Sequence, residues 1–190
     1  GEIIQKGGWG YLLDDAGSGY DIGRRGFCAA LRDYDGRGES TILSELYRQH
    51  LGGPVYKFIP EIYQKGKQFI ASFAPLVFEA DSRKDKVAGS ILDECAAELA
   101  LLVKAGAKHL TGSGELYKVV LAGGLWKSKD ALMNRFKSNL GKDFLLIQPE
   151  LPPVYGAVVE ALARAKKEYA VGEYILTDGN FYKNFKNTLN

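Results

Sequence analysis

The sequence contains few of the residues that usually hold metals or form cross-links. Among its 190 residues there are two cysteines and two histidines. Cys28 and Cys95 are far apart and have no CxxC or Cys/His spacing, so the sequence predicts neither a disulfide framework nor a metal site. His50 and His109 each fall in the last turn of a predicted helix, where an imidazole suits the helix dipole. No serine, histidine and acid arrangement indicates a hydrolase.

Charge imbalance and long apolar runs are also lacking. The chain has 25 Lys and Arg against 23 Asp and Glu, a formal net charge of +2, which does not favour a nucleic-acid-binding protein. No apolar run approaches the roughly 18 residues of a membrane helix, and no basic stretch with an apolar core opens the chain. We therefore expect a soluble, cytoplasmic protein whose partners include neither nucleic acid nor membrane.

Glycine, by contrast, is abundant and unevenly placed. Eight of the 23 glycines fall in the first 26 residues, and five of these eight are in GGWG at 7–10 and DDAGSG at 14–19. Glycines let the backbone turn sharply, the Trp9 ring offers a flat apolar face, and the Asp15 carboxylate can accept from adjacent hydroxyls, as a sugar site requires. The alternative is structural: Asp15 or Ser18 caps a helix and Trp9 fills the core.

Two later segments carry weaker signals. The apolar run VVLAGGL at 119–125 ends in Gly123 and Gly124, at the place where open α/β sheets bind ligands, although a plain strand-to-helix turn has the same pattern. The sequence has no GxxxxGK[ST] loop and no GxGxxG after a strand, so P-loop and Rossmann sites are unsupported. PPVYGAVVEAL at 152–162 begins a helix with proline, and core packing explains its small residues equally well.

Hydrophobic periodicity predicts a helix-rich α/β chain. The charged run at 81–86 is interpreted as a solvated helix start. Strand, helix and strand in the C-terminal third imply a parallel pair, which is followed by a polar, aromatic tail from 171 to 190. The predicted elements are a strand at 2–6, helices at 19–31, 40–51 (N-cap Ser40, end Gly52-Gly53), 67–80 (kinked or divided at Pro75) and 84–110, buried strands at 117–122 and 144–147, and helices at 129–140 and 153–169.

The three motifs, in this order, resemble the C-terminal lobe of the BadF/BadG/BcrA/BcrD ATPase family, and within it the N-acetylglucosamine kinase-like members. GGWGYLL with DAGSGYDIGRR, residues 7–25, resembles the most specific family signature. VVLAGGL resembles the adenosine motif of actin-like ATPases and sugar kinases, and PPVYGAVVEAL resembles their closing helix. Asp14 stands where the family often has glycine, and Ala16 where it often has glutamate.

The resemblance implies an α/β, RNase H-like (actin-like ATPase) lobe over residues 1–170, helix-rich, with a helical segment at about 40–110 and a mixed sheet. It also implies ATP and Mg²⁺ as cofactors and phosphoryl transfer to an amino-sugar hydroxyl. The positions that match the family pattern are Gly8, Trp9, Asp15 and Gly19 on the sugar side, and Gly123, Gly124, Leu125 and Lys127 on the nucleotide side.

The family's phosphate loops and catalytic aspartate have no counterpart in these residues, so no catalytic residue is assigned. We expect an N-terminal lobe, with strands that complete the sheet, as a partner of this lobe, and a homodimer is a further expectation; alone, the lobe is expected to be inactive. Two other functions stay open: an ATPase activator of a 2-hydroxyacyl-CoA dehydratase, and a non-catalytic sugar-sensing or interaction domain.

Overall fold

The computed structural model describes residues 3–110, 116–126, 130–151 and 153–169, with side chains up to residue 161. Helices dominate these ranges. They are α1 (Gly19–Tyr34), α2 (Leu43–Leu51), α3 (Ile59–Ala71), α4 (Ala74–Ser82), α5 (Lys86–Ala107), α6 (Asp130–Leu140) and α7 (Pro153–Tyr169), with short 3₁₀ turns at Val55–Phe58 and Gly124–Trp126. None of the described helices is long and apolar enough to cross a membrane.

The first helix begins where a side chain caps it. The Ser18 hydroxyl accepts a hydrogen bond from the Asp21 backbone N–H at 3.2 Å, which satisfies one of the unpaired donors of the first turn. The predicted helix at 19–31 is therefore confirmed, and it extends to Tyr34. Because Ser18 supplies the cap, the Asp15 side chain is left for other contacts.

The second helix starts later than predicted. The prediction that Ser40 caps it is wrong: the N-cap position is Ile42, which has no capping side chain, and the Thr41 hydroxyl accepts from the Leu43 N–H at 3.2 Å. The predicted end is confirmed, because Gly52 adopts φ +79, a left-handed conformation that suits glycine just after a helix.

Proline and glycine divide the following helical region. Pro60 and Pro75 each stand in the first turn of a helix, α3 and α4, where proline needs no hydrogen-bond partner for its nitrogen. Gly66 kinks α3 with φ +67. The division that Pro75 predicted is confirmed, since α3 ends at Ala71 and α4 begins at Ala74.

The charged run at 81–86 is not simply a solvated helix start. Asp81 lies at the end of α4 and accepts from Arg135 Nη2 of α6 at 2.8 Å. Asp85 caps α5 by accepting from the Ala88 N–H at 2.8 Å, and it also accepts from the Thr41 hydroxyl at 3.0 Å. Asp81 and Asp85 therefore form hydrogen bonds to residues that are distant in sequence, whereas the mixed charges of the run predicted that both would be solvated.

Two strands, β1 (Tyr117–Val120) and β2 (Phe144–Ile147), form a small sheet. The Tyr117 N–H donates to the Asp143 carbonyl at 2.9 Å, and the Leu121 N–H donates to the Ile147 carbonyl at 2.8 Å. Because both partners advance in the same direction, the strands are parallel, as predicted. The sheet in the described ranges has only these two strands and is therefore not mixed.

Three strand predictions need correction. β1 is not buried on both faces, because exposure alternates along it and Val120 is 60% exposed. Leu145 of β2 is likewise 45% exposed. No strand forms at residues 3–6, the described part of the predicted 2–6 strand, and all four residues are exposed. A strand needs a hydrogen-bonded neighbour, and no described strand lies beside this segment.

The described residues belong to two compact units. The first comprises Gly1–Val119 with Leu125–Leu145, and the second comprises Val120–Gly124 with Leu146–Asn190. The predicted tail at 171–190 lies outside the described residues, and the 1–170 lobe stays a prediction.

The core of the first unit is built around aromatic rings. The ring of Phe73, between α3 and α4, lies 4.6 Å from that of Phe27 and 5.0 Å from that of Tyr47. The Tyr47 hydroxyl donates to the Gly23 carbonyl of α1 at 3.3 Å. An added Cβ on Gly23 would lie 2.1 Å from the Ile70 carbonyl oxygen, so this glycine permits the close approach of α1 and α3.

A polar cluster lies at the edge of this core. Asp21 is buried, and it accepts from Arg24 Nη2 at 2.8 Å, from Arg25 Nε at 2.9 Å and from the Gly17 backbone N–H at 3.1 Å. Burial alone would raise the pKa of Asp21, but these donors outweigh it and lower the pKa below its usual value. Arg25 also pairs with Glu94 of α5, so the cluster joins α1 to α5.

We expect Gly23→Ala to destabilise the protein by about 1–3 kcal/mol, because the new methyl group would clash with rigid backbone. Gly106→Ala is the control: it lies in α5 with no atom within 4 Å of its Cβ position. It should stabilise the helix by about 0.5–1 kcal/mol. Urea unfolding measures both, and equal stabilities would contradict the close approach at Gly23.

We expect Asp21→Asn to lower the free energy of unfolding near pH 7 by about 1.5–3 kcal/mol, the range for hydrogen bonds to a charged group. Because the folded pKa of Asp21 is lowered, the unfolded chain binds more protons just below about pH 4. The contribution is therefore present above about pH 4 and is lost as pH falls through the folded pKa.

Unfolding measured from pH 3 to pH 7 tests this sign. The difference between wild type and Asp21→Asn should shrink as the pH falls. Asp35→Asn is the control, because Asp35 is exposed and its ion pair is with neighbouring Arg37, and it should change stability by less than about 0.5 kcal/mol. A difference that is constant or grows toward low pH would contradict the lowered pKa.

Candidate functional site

The glycine-rich segment before α1 lies directly against α5. Gly7 has φ +69, and an added Cβ would lie 2.4 Å from Leu102 Cδ2. Gly17 has φ +76, and an added Cβ would lie 2.7 Å from the Cys95 carbonyl oxygen. Only glycine combines this conformation with this approach, so Gly7 and Gly17 are packing requirements of the segment.

A tight turn in the segment exposes its apolar side chains. The Leu13 and Asp14 N–H groups both donate to the Gly10 carbonyl, at 3.0 and 2.7 Å. Trp9 is 62% exposed, and Leu12 and Leu13 more so. The alternative in which Trp9 fills the core is therefore wrong. Its indole is an exposed apolar surface on the segment that carries Asp14 and Asp15.

Asp15 is held by a residue that the sequence reading missed. Its half-buried carboxylate forms an ion pair with Lys67 of α3, through Oδ2. Lys67 Nζ lies 5.7 Å from the centroid of the Tyr11 ring and 6.0 Å from that of Tyr20, two rings that themselves meet edge to face at 5.3 Å. Fifty-two positions separate Lys67 from Asp15, so no local pattern marks the pair.

A cavity of about 350 Å³ opens beside this segment. Of the four predicted sugar-side residues only Asp15 lines it; Gly8 and Trp9 lie earlier on the same segment, and Gly19 is the first residue of α1. Two arginines that the sequence reading did not single out, Arg24 and Arg25, also line the cavity. The cavity is therefore lined by carboxylates, which accept hydrogen bonds, and by guanidinium groups, which donate them.

The predicted nucleotide side lies at the end of β1. Gly123 has φ +102, which favours glycine, and no atom lies within 4 Å of an added Cβ on Gly123 or Gly124. Both are exposed. A 3₁₀ turn from Gly124 to Trp126 includes Leu125, whereas Lys127 lies outside the described residues. The backbone at Gly124 is thus open to a ligand.

The third motif forms α7, with the predicted bounds. The first residue of the motif, Pro152, lies outside the described ranges. Gly156 is exposed and has no atom within 4 Å of an added Cβ. The described contacts therefore do not explain this glycine by core packing.

The cysteines and histidines form no further site in the described ranges. Burial and the nearby Asp21 carboxylate raise the pKa of the Cys95 thiol to about 12, so it is held protonated. Cys28 is exposed on α1. The His50 ring packs 4.8 Å from that of Phe73. Within the described ranges no group of three or more His, Cys, Asp or Glu residues is arranged to hold a metal ion.

The chain is similar in sequence to two curated kinases. The chain is 35% identical over 167 residues to an N-acetylmuramic acid/N-acetylglucosamine kinase of Clostridium acetobutylicum, covering 85% of this chain and 55% of that protein. It is 26% identical over 170 residues to an N-acetyl-D-glucosamine kinase of Dictyostelium discoideum, covering 85% and 53%. The chain spans about half the length of these curated relatives.

A solved structure has a similar fold. It comes from Chromobacterium violaceum and is provisionally described as an N-acetylglucosamine kinase. The match has a TM-score of 0.68 and 25% sequence identity, and it covers 84% of this chain and 52% of that one. The helix-rich α/β prediction is thereby confirmed.

The BadF/BadG/BcrA/BcrD ATPase family model matches residues 1–161, which confirms the resemblance seen in the three motifs. This chain belongs to the BadF/BadG/BcrA/BcrD ATPase family.

Proposed function

We propose that the protein is a kinase of N-acetylated amino sugars, and that this chain supplies an ATP-binding, RNase H-like lobe over residues 1–170 with a helical segment at about 40–110. The observation that carries the proposal is the Asp15 carboxylate, half-buried on a glycine-braced segment beside a cavity. Family membership and two curated relatives that are amino-sugar kinases support it.

The sugar side uses complementary surfaces. Lys67 engages Asp15 Oδ2, and Oδ1 has no hydrogen-bond donor among the described residues, so Oδ1 can accept from a sugar hydroxyl. Trp9 offers an exposed ring for the apolar CH face of a pyranose. We assign Gly8 and Gly19 to the same side as backbone that a ligand approaches.

The nucleotide side uses the backbone at the end of β1. The open space over Gly124 and the left-handed Gly123 fit an adenosine that lies against the main chain, with Leu125 next to it. Lys127 lies outside the described residues and is assigned to the same side from the family pattern alone. ATP bound there would supply the phosphoryl group, and Mg²⁺ bound with it would neutralise the phosphate charge. The residues of this chain bind and orient the two substrates, and none of them is assigned as the proton acceptor. The N-terminal lobe and the homodimer stay predictions.

The dehydratase-activator alternative is less well supported. An iron–sulfur cluster is held by thiolates. Cys95 is buried with a pKa of about 12, so it is a poor thiolate donor. No observation specifically favours the sugar-sensing alternative, which the binding and activity measurements below distinguish from a kinase.

We expect Asp15→Asn to weaken N-acetylglucosamine binding about 10- to 100-fold, because a charged acceptor is replaced by a neutral one of the same shape. ATP binding should be unchanged. Lys67→Met is the matched control, since it removes the same ion pair but keeps the carboxylate, and its loss of sugar affinity should be smaller. Calorimetric titration of the protein with sugar and with ATP measures both, and unchanged sugar affinity in Asp15→Asn removes Asp15 from the site.

We expect Gly124→Val to raise the ATP dissociation constant about tenfold, since a branched side chain would occupy the space assigned to the nucleotide. Sugar binding should not change. Gly106→Val is the control, because its Cβ position is equally open but lies on α5. If both valine variants bind ATP as the wild type does, the nucleotide assignment is wrong. ATP-dependent phosphorylation of the sugar, measured on the protein together with its expected N-terminal lobe, then separates a kinase from a sugar sensor.

A further inference from the structure

The cavity beside Asp15 has an apolar edge that sugar hydroxyls do not require. Leu12 and Leu13 line it together with the Asp15 carboxylate. The two leucines are 80% and 85% exposed. A hydroxyl group needs a hydrogen-bond partner, which a leucine side chain cannot supply. The cavity therefore offers a charged acceptor and, two residues before it on the same segment, an apolar surface.

The turn that carries the leucines is held in place by its neighbours. The Leu13 and Asp14 N–H groups donate to the Gly10 carbonyl, and Gly10 and Asp14 form an isolated antiparallel bridge. Within the turn, the Tyr11 ring meets the Tyr20 ring of α1 edge to face, with centroids 5.3 Å apart. The backbone that presents the leucines is thus fixed against α1, while their side chains stay outside the core.

An apolar group on the substrate explains this edge. Adjacent exposed apolar side chains beside a cavity are typical of a binding surface, because their contact with water is unfavourable. An N-acetylated amino sugar has an apolar end in its acyl methyl group, in addition to the ring CH face that Trp9 suits. The acyl group stands on the ring carbon next to one that carries a hydroxyl. A sugar bound to Asp15 through that hydroxyl therefore brings its acyl group toward the same end of the cavity.

We infer that Leu12 and Leu13 contact the acyl group of the sugar, and that the substrate range of the proposed kinase extends to amino sugars with longer N-acyl chains. This inference rests on the proposed function. Because both leucines are largely exposed, they form an open edge at which an added methylene gains apolar contact. The cavity volume of about 350 Å³ lies within the usual range for small-ligand sites.

Three sugars with the same ring and hydroxyls serve as probes. N-propionylglucosamine has one methylene more than N-acetylglucosamine. N-glycolylglucosamine has the same number of non-hydrogen atoms as N-propionylglucosamine, but a hydroxyl group replaces the terminal methyl group. The last two sugars therefore separate apolar contact from the mere size of the acyl group.

Calorimetric titration of the protein compares the three sugars in wild type and in a double variant carrying Leu12→Ala and Leu13→Ala. A fully buried methylene is worth roughly fourfold in affinity, so at an open edge N-propionylglucosamine should bind wild type about two- to fourfold tighter than N-acetylglucosamine. N-glycolylglucosamine should bind no tighter than N-acetylglucosamine. In the double variant the gain from the propionyl group should disappear.

Leu101→Ala is the matched control. Leu101 of α5 is also exposed, at 58%, but it does not line this cavity. It should leave all three affinities unchanged. Thermal unfolding should be little altered in every variant, since exposed side chains are removed. The single variants Leu12→Ala and Leu13→Ala should each lose part of the propionyl gain, which keeps the test valid if the double variant is unstable.

The other outcomes are distinct. If wild type binds N-acetylglucosamine but binds N-propionylglucosamine no tighter, or if the propionyl gain survives in the alanine variants, the inference is overturned while the proposed function stands. If the variants weaken all three sugars equally, the leucines contact a part that the sugars share, and the inference is again overturned. If wild type binds none of the sugars, the proposed function itself fails, and the inference fails with it.

Discussion

The structure around the candidate site depends on one buried carboxylate. Asp21 accepts a backbone hydrogen bond from Gly17, which fixes the end of the glycine-rich segment, and it accepts from Arg24 and Arg25 of its own helix. Arg25 in turn pairs with Glu94 of α5. A buried charge is costly unless it is paired, so the segment must stay against α1 for Asp21 to keep the Gly17 donor, and the Arg25–Glu94 pair connects this cluster to α5. The position of Asp15, two residues before Gly17, follows from this constraint.

The contact on the other side of the segment is made by α3. The kink at Gly66 immediately precedes Lys67, whose ammonium pairs with Asp15 and lies near the rings of Tyr11 and Tyr20. This arrangement combines an ion pair with cation–π attraction in a half-buried place, where screening by water is weaker than at an open surface. The candidate sugar residue is therefore held from two directions, by Asp21 through the backbone and by Lys67 through the side chain.

Local chemistry in the sequence predicts much of this fold. The bounds of β2 and α7, the end of α2 at Gly52 and the helix that follows Ser18 all depend on neighbouring residues, and all match. The misses involve partners that are distant in sequence. Asp81 and Asp85 were predicted to be solvated, but they accept hydrogen bonds from Arg135 of α6 and from Thr41. Val120 was predicted to be buried, but one face of its strand is exposed. For the site, glycine spacing indicates the segment and Asp15, whereas Lys67 and Arg24 are brought there only by tertiary packing.

Hydrogen-bond occupancy separates residues that build the site from residues that are available to a ligand. Both oxygens of Asp21 are engaged and it is nearly inaccessible, so it cannot bind a ligand without breaking the cluster. Among the residues that the structure describes, the Asp15 and Arg24 side chains are each hydrogen-bonded through a single atom, so Asp15 keeps an acceptor and Arg24 keeps donors without a partner there. A group held at one edge loses little further freedom when a ligand occupies the other, which is the condition for selective binding without rearrangement. The fold thus uses one fully satisfied carboxylate to present two partly satisfied side chains of opposite charge to the same cavity.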